Sequence, residues 1–130
     1  MLSTTSLLDR LTREYPDITF VSGSCFRWSP TERTIYYIGS NDTASLLHEV
    51  AHAALHHGEY KSDIGLIQME RDAWDFTTTI LSKEYDVSID QEAAESMLDT
   101  YRDWLHARSL CPTCQATGMQ IKPTRYSCLA

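Results

Sequence analysis

The feature that most constrains this chain is the pentapeptide His48-Glu49-Val50-Ala51-His52. It lies in residues 44–55, which are apolar almost all round, as expected of a helix buried on most sides. Histidines four positions apart lie one helical turn above each other, so both imidazoles can reach one ion at about 2.0–2.1 Å. Burying such groups without partners would cost free energy. The pattern therefore predicts a zinc site with His48 and His52 as ligands, rather than a chance match between core residues.

Glu49 adds a carboxylate to this predicted site. It points about a quarter turn away from His48, within reach of a water on the metal. Zinc lowers the pKa of its water towards about 7, and a nearby carboxylate can take the proton. The resulting hydroxide would attack a polarised carbonyl, and Glu49 would then deliver the proton to the leaving amine. We therefore predict that Glu49 is the general base of a peptide-hydrolysing site.

A catalytic zinc usually has three protein ligands and one open position, so a third ligand is expected elsewhere. Residues 68–76 supply three carboxylates, among them Glu70 and Asp72. On a helix Asp72 shares a face with Phe76, whereas Glu70 lies about 200° from Asp72. Only one of the two carboxylates can face the metal.

Two more histidines, His56 and His57, follow the motif. Enzymes with a third histidine ligand beyond such a motif turn the chain at a glycine before it, whereas here no glycine lies between His52 and Gly58. We therefore expect His56 to be a hydrogen-bonding residue near the negative end of the helix dipole. Gly58 is expected to take the left-handed conformation after the helix.

These motifs resemble those of a known family, the ImmA/IrrE-like metallopeptidases of mobile genetic elements, phages and stress-response regulators. The resemblance covers roughly residues 18–105 and begins with a small sheet followed by the apolar motif segment at 46–56. A later segment, Asp72-Ala73-Trp74-Asp75-Phe76-Thr77, is similar to the family's Glu-Ala-x-x-Phe-Ala pattern. Residues 80–88 also resemble the family's run into a Val-Ser turn before another helix.

The resemblance implies a third ligand and a type of substrate. Aligning Ala73 and Phe76 with the family pattern makes Asp72 the third zinc ligand, where the family has a glutamate that is one methylene longer. Glu70 is the alternative, because its residue type fits the family better than its position does. The implied activity is regulated cleavage of a partner protein, such as a transcriptional repressor encoded nearby, and a stress-response role is equally open.

Two other functions are compatible with the same residues. One is a metal-dependent hydrolase of a substrate other than a peptide, because the same chemistry attacks other carbonyls. The other is a non-catalytic zinc-containing interaction module or anti-repressor that binds a partner without cleaving it. The intact Glu49 argues against the second, since a structural zinc site has no use for a base.

A second group of potential ligands consists of Cys111, Cys114 and Cys128. Without an export signal, such cysteines indicate metal ligation or free thiols more than disulfides. We predict a second, structural zinc at these three residues, because a segment so poor in apolar residues needs a metal to become ordered. No second Cys-x-x-Cys pair is present, so a four-ligand site would need His106 or Cys25 as well. The alternative is three reduced thiols in a flexible tail.

The rest of the sequence predicts an α+β fold, with a small antiparallel sheet packed on a mainly helical, zincin-like domain at residues 1–108. A short, irregular Cys-containing tail is expected at 109–130. Periodicity and capping residues predict helices and strands at the following positions: helices near 3–14, 44–55, 67–85 and 90–107, and strands at 19–21, 25–28 and 34–38. The last strand is expected at a sheet edge, where it could hold an extended substrate.

Composition and charge limit the partners. The chain of 130 residues fits one compact catalytic domain with a short appendage. Its formal net charge of −7 argues against a nucleic-acid partner, because phosphate binding usually requires a basic surface. No apolar stretch of roughly 18 residues or secretory signal is present. We expect a cytoplasmic protein that acts on a protein or peptide and binds no membrane.

Overall fold

The computed structural model describes residues 4–39, 42–123 and 125–128. These residues form four helices and two small sheets. The helices are α1 (Thr4–Glu14), α2 (Thr43–Ala54), α3 (Asp63–Phe76, continued by a π-helical segment at Thr77–Leu81 and a last turn at Ser82–Glu84) and α4 (Gln91–Ser109). The strands are β1 (Thr19–Ser22), β2 (Arg27–Ser29), β3 (Thr34–Tyr37), β4 (Met119–Lys122) and β5 (Arg125–Ser127). The α+β class is confirmed, and the zincin-like arrangement stays a prediction.

The three-stranded sheet differs from the expected one in two ways. Its order is β1-β3-β2, with β1 parallel and β2 antiparallel to β3. The prediction of an antiparallel sheet is therefore wrong, because the sheet is mixed. The prediction that residues 34–38 form an edge strand is also wrong, because β3 is central. Alternating residues indicate the faces of a strand but not its neighbours, and here β1 skips the next strand in sequence to pair with β3.

The described residues divide into two compact units. The first takes its residues from 1–59 and 72–90, and the second from 60–71 and 91–130. The division at residue 108 stays a prediction. No helix in the described part of the chain is long and apolar enough to cross a membrane. The cytoplasmic location stays a prediction.

The core of the first unit is built around α2. Leu46, Leu47 and Val50 of this helix are almost completely buried. They pack in one cluster with apolar residues of α1, of β3 and of the position directly after α3, including Leu7, Ile35 and Tyr85. Burying one such leucine contributes about 1.5–3 kcal/mol. The helix that carries the motif is thus fixed by apolar packing around it.

Both ends of α2 have identifiable causes. Asp42 caps the first turn, because its carboxylate accepts hydrogen bonds from the Ser45 N–H (3.0 Å) and the Ser45 hydroxyl (2.6 Å). At the other end His56 takes the left-handed conformation, with φ 57°. The expectation that Gly58 would do so is wrong. The chain turns two residues earlier than the glycine signal indicates, within the run of histidines.

The threonine run of α3 forms the π-helical segment Thr77–Leu81. The Thr77 and Thr79 hydroxyls donate to the carbonyls of Ala73 (2.7 Å) and Asp75 (2.6 Å), one turn earlier. Such back-bonding by β-branched residues competes with the regular helical ladder. The segment packs against α2, and π-bulges of this kind are frequent at functional sites.

The second unit joins the first part of α3 and the whole of α4 to a β-hairpin. Strands β4 and β5 pair antiparallel, so the prediction of an irregular tail is wrong for residues 119–122 and 125–127. Gly118 has no room for a side chain, because a Cβ there would lie 2.7 Å from the Ser127 carbonyl oxygen. The same glycine donates its N–H to the Ser109 carbonyl at 2.7 Å. This close approach holds the hairpin against the end of α4.

Candidate metal centres

Helix α2 brings the three motif side chains together. The Nε2 atoms of His48 and His52 are 3.1 Å apart, and both residues are 6% exposed. Glu49 is half-buried, and one ligand atom from each of the three residues lies within 4.8 Å of the others. The spacing predicted from the helical period is therefore present.

The donor set fits a zinc ion. Two nitrogens at about 2.0–2.1 Å from a tetrahedral zinc are about 3.3 Å from each other. The observed 3.1 Å between the imidazole nitrogens is close to this value. Imidazole nitrogen and carboxylate oxygen are the donors that catalytic zinc sites use. The residues present can thus hold the ion with little rearrangement of the helix.

His57 orients the His52 ring. The Nδ1 atoms of the two residues are 2.8 Å apart, and the His57 N–H donates to the His52 carbonyl at 2.9 Å. If Nδ1–H of His52 donates to His57, the Nε2 of His52 keeps its lone pair for a metal. The carbonyl of His57 in turn accepts from Nε1–H of Trp28 at 2.9 Å. No periodic signal in the sequence indicates this partner, because the left-handed turn at His56 brings His57 back beside the helix.

Trp74 holds the other ligand ring. Its indole stacks on the His48 imidazole, with 4.2 Å between the ring centroids and 29° between the planes. Trp74 is 8% exposed. The His48 and His52 rings meet edge to face at 4.6 Å. Packing and hydrogen bonds therefore fix both imidazoles.

The two candidate third ligands differ in burial. Asp72 belongs to the first unit and is exposed, whereas Glu70 belongs to the second unit and is half-buried. Among the described residues, the cluster of ligand atoms within 4.8 Å includes neither of them. The third ligand therefore stays a prediction.

The three cysteines near the hairpin form a second cluster. One ligand atom from each of Cys111, Cys114 and Cys128 lies within 4.8 Å of the others, and the last two Sγ atoms are 3.5 Å apart. Hydrogen bonds from the backbone N–H groups of Cys114 and Thr113 lower the pKa of the Cys111 thiol to about 7. Across the part of the chain that the structure describes, neither His106 nor Cys25 joins this cluster.

Comparisons of the chain with protein-family models, with curated proteins and with solved structures give no match.

Proposed function

We propose that this chain is a zinc-dependent metallopeptidase that hydrolyses a peptide bond in a partner protein. His48 and His52 are the zinc ligands, and Glu49 is the general base. The observation that supports this proposal best is the 3.1 Å separation of two buried imidazole nitrogens, with the Glu49 carboxylate within 4.8 Å. The resemblance of the motif segments to the ImmA/IrrE-like metallopeptidases supports the choice of a peptide as substrate.

The bound zinc would act as a Lewis acid that polarises the scissile carbonyl and lowers the pKa of water to about 7. Glu49 accepts the proton of the attacking water and later donates it to the leaving amine. Glu49 is half-buried, so it is partly exposed, and its partial burial strengthens its interaction with the nearby imidazoles. General acid–base catalysis of this kind contributes about 10²–10⁴-fold to the rate.

The side chains around the motif position the ligands. The His57 imidazole holds the His52 ring, and the Trp74 indole covers the His48 ring. Both ligands are therefore restricted before any ion binds. Partners of this kind conserve ligand geometry and typically change metal affinity by about 10–100-fold when removed. Asp72, with Glu70 as the alternative, is proposed as the third ligand.

An edge of the mixed sheet offers a place for an extended substrate. Strand β2 pairs with β3 on one side and lies at the end of the strand order. Its Trp28 side chain donates to the His57 carbonyl just beyond α2, so β2 adjoins the helix that carries the motif. A substrate strand added to β2 would use main-chain hydrogen bonds and would need little sequence specificity. A partner protein with an exposed, extended segment, such as a transcriptional repressor, fits this arrangement.

A comparison of the unmodified chain with Glu49→Gln tests the proposal. Both proteins are loaded with zinc and incubated with candidate repressors and a broad peptide library, and new termini are identified by mass spectrometry. We expect zinc-dependent cleavage by the unmodified chain and a loss of about 10²–10⁴-fold in Glu49→Gln, with its zinc content unchanged.

Two results would contradict the proposal. Equal cleavage by both proteins would remove Glu49 from the mechanism. Equally tight binding of one partner by both, with no new termini, would instead support the interaction module.

A further inference from the structure

The proposed peptidase site leaves the three clustered cysteines without a role. Two thiolates at about 2.3 Å from a tetrahedral zinc are about 3.8 Å from each other. The Sγ atoms of Cys114 and Cys128 are 3.5 Å apart, far beyond the roughly 2.05 Å of a disulfide bond. The thiols are therefore spaced as ligands of one ion.

The loop that carries the first two cysteines is closed by its own backbone. The Gln115 N–H donates to the Cys111 carbonyl at 2.8 Å, and the Cys111 N–H donates to the Ala116 carbonyl at 2.9 Å. Gln115 takes the left-handed conformation with φ 61°, which is costly for a residue with a side chain. Backbone N–H groups of Thr113 and Cys114 donate to the Cys111 sulfur. This loop brings the sulfur atoms of Cys111 and Cys114 within 4.8 Å of each other.

The hairpin brings the third cysteine to the loop. Met119 pairs with Ser127, the residue before Cys128. A side chain at position 118 would collide with the Ser127 carbonyl, so the glycine there permits the close approach. Cys114 and Cys128 are 14 residues apart in the sequence, yet the hairpin places their thiols side by side.

A buried carboxylate fixes the hairpin within the second unit. Asp63 is 2% exposed and accepts from the Tyr126 hydroxyl (2.5 Å) and from Nε–H of Arg108 (2.7 Å). The Asp63 N–H donates to the Gln120 side-chain oxygen at 2.8 Å. Arg108 also donates to the Pro123 carbonyl at 2.6 Å. The position of the thiol cluster is thus set by bonds that do not involve sulfur.

We propose that Cys111, Cys114 and Cys128 bind a second zinc ion, which fastens the loop to the end of the hairpin. The ion is assigned a structural role, because zinc sites built mainly from thiolates are the usual structural ones. Cys111, Cys114 and Cys128 fill three of its four positions, and a structural site requires a further donor at the fourth. The site does not depend on the proposed peptidase activity.

Cobalt loading of the unmodified chain tests this site without requiring an activity. Tetrahedral Co²⁺ bound by thiolates gives intense charge-transfer absorption that imidazole and carboxylate ligands do not give. We expect this absorption in the unmodified chain and in a His48→Ala/His52→Ala variant. It should be lost in Cys111→Ser/Cys114→Ser and retained in Cys25→Ser, in which an exposed cysteine outside the cluster is replaced.

Native mass spectrometry and alkylation of the unmodified, zinc-loaded chain complete the test. We expect two zinc ions, falling to one in Cys111→Ser/Cys114→Ser, and alkylation at Cys25 alone until a chelator is added. The absence of charge-transfer absorption from the unmodified chain would overturn the proposal. This measurement does not depend on the folding of any variant. Alkylation of all four thiols at equal rates in the zinc-loaded chain, or a disulfide between Cys114 and Cys128 that excludes the metal, would overturn it as well.

Discussion

The two candidate metal centres are built in different ways. The histidine centre takes its two histidine ligands from one helix, where His48 and His52 are separated by one turn and both are buried. The cysteine centre takes its ligands from a loop and from the residue after β5, and Cys114 and Cys128 are exposed. The proximity of the two histidines follows from the helical period alone, whereas the three cysteines meet only when the hairpin closes.

This difference predicts how each centre depends on its metal. Helix α2 is held by the apolar core of the first unit, so the histidine centre is preorganised without an ion. The loop at 111–116 has few buried apolar residues around it and is held by backbone hydrogen bonds, so a bound ion would contribute more to its order. Removing zinc should therefore disturb the cysteine centre more than the histidine centre.

The largest expected effect is the loss of metal from the histidine centre in His48→Ala. Removing one of the helical ligands should abolish stoichiometric zinc binding there, because a catalytic site has only three protein ligands. His56→Asn is the matched control, since His56 is exposed and asparagine tolerates the left-handed conformation. Zinc content is measured in a Cys111→Ser/Cys114→Ser background. Equal zinc content in His48→Ala and His56→Asn would show that His48 is not a zinc ligand.

The next largest effect is expected from removing the third zinc ligand. Loss of a residue that only holds a ligand in place typically weakens metal binding by roughly 10–100-fold. We expect Asp72→Ala to weaken zinc binding by more than this and Glu70→Ala to have a smaller effect. Isothermal titration with zinc in the same background measures both. The reverse order would transfer the ligand role to Glu70.

A smaller change is expected from His57→Leu. This substitution removes the side-chain bond to His52 but leaves the backbone carbonyl that accepts from Trp28. Zinc affinity at the histidine centre should fall about 10–100-fold, as is usual when the partner of a ligand is lost. His57→Gln, which can still bond to His52, should recover part of it. An unchanged affinity in His57→Leu would show that packing alone orients the ligand.

The smallest effects concern a tyrosine–carboxylate bond that each unit contains. Tyr126 donates to buried Asp63 and Tyr85 donates to exposed Glu14. A hydrogen bond to a charged group contributes about 1.5–3 kcal/mol to the free energy of unfolding, and exposure of the charged group to water reduces this contribution. We therefore expect Tyr126→Phe to lower the free energy of unfolding by about 2 kcal/mol and Tyr85→Phe by less, as measured by urea denaturation.

Burial and the Asp63 carboxylate raise the pKa of Tyr126 from 10.0 to about 12. A raised pKa means that the Tyr126 hydroxyl holds its proton more tightly in the folded state than in the unfolded state. Its contribution to the free energy of unfolding is therefore complete below pH 10 and is lost as the pH rises towards about 12. Tyr126→Phe should remove that part of the alkaline pH dependence. A variant with the same alkaline profile as the unmodified chain would contradict this assignment.

Local signals in the sequence were sufficient for α2 and for the proximity of His48 and His52, because an apolar run after the capping residue Asp42 and a four-residue spacing define both. They were insufficient wherever the chain turns back on itself. The mixed order of the first sheet, the hairpin at 119–127 and the bond between His52 and His57 all depend on turns whose closure no periodicity encodes. The cysteine spacing indicated a metal site but gave no reason for the three thiols to meet.

X-ray absorption at the zinc edge shows directly whether the helical motif of α2 is a metal centre. It is measured on a Cys111→Ser/Cys114→Ser/Cys128→Ser variant, so that only the histidine centre contributes to the spectrum. We expect one zinc ion with nitrogen and oxygen ligands at about 2.0–2.2 Å, including the multiple-scattering signal of two imidazoles. No bound zinc, or a zinc without imidazole ligands, would contradict it.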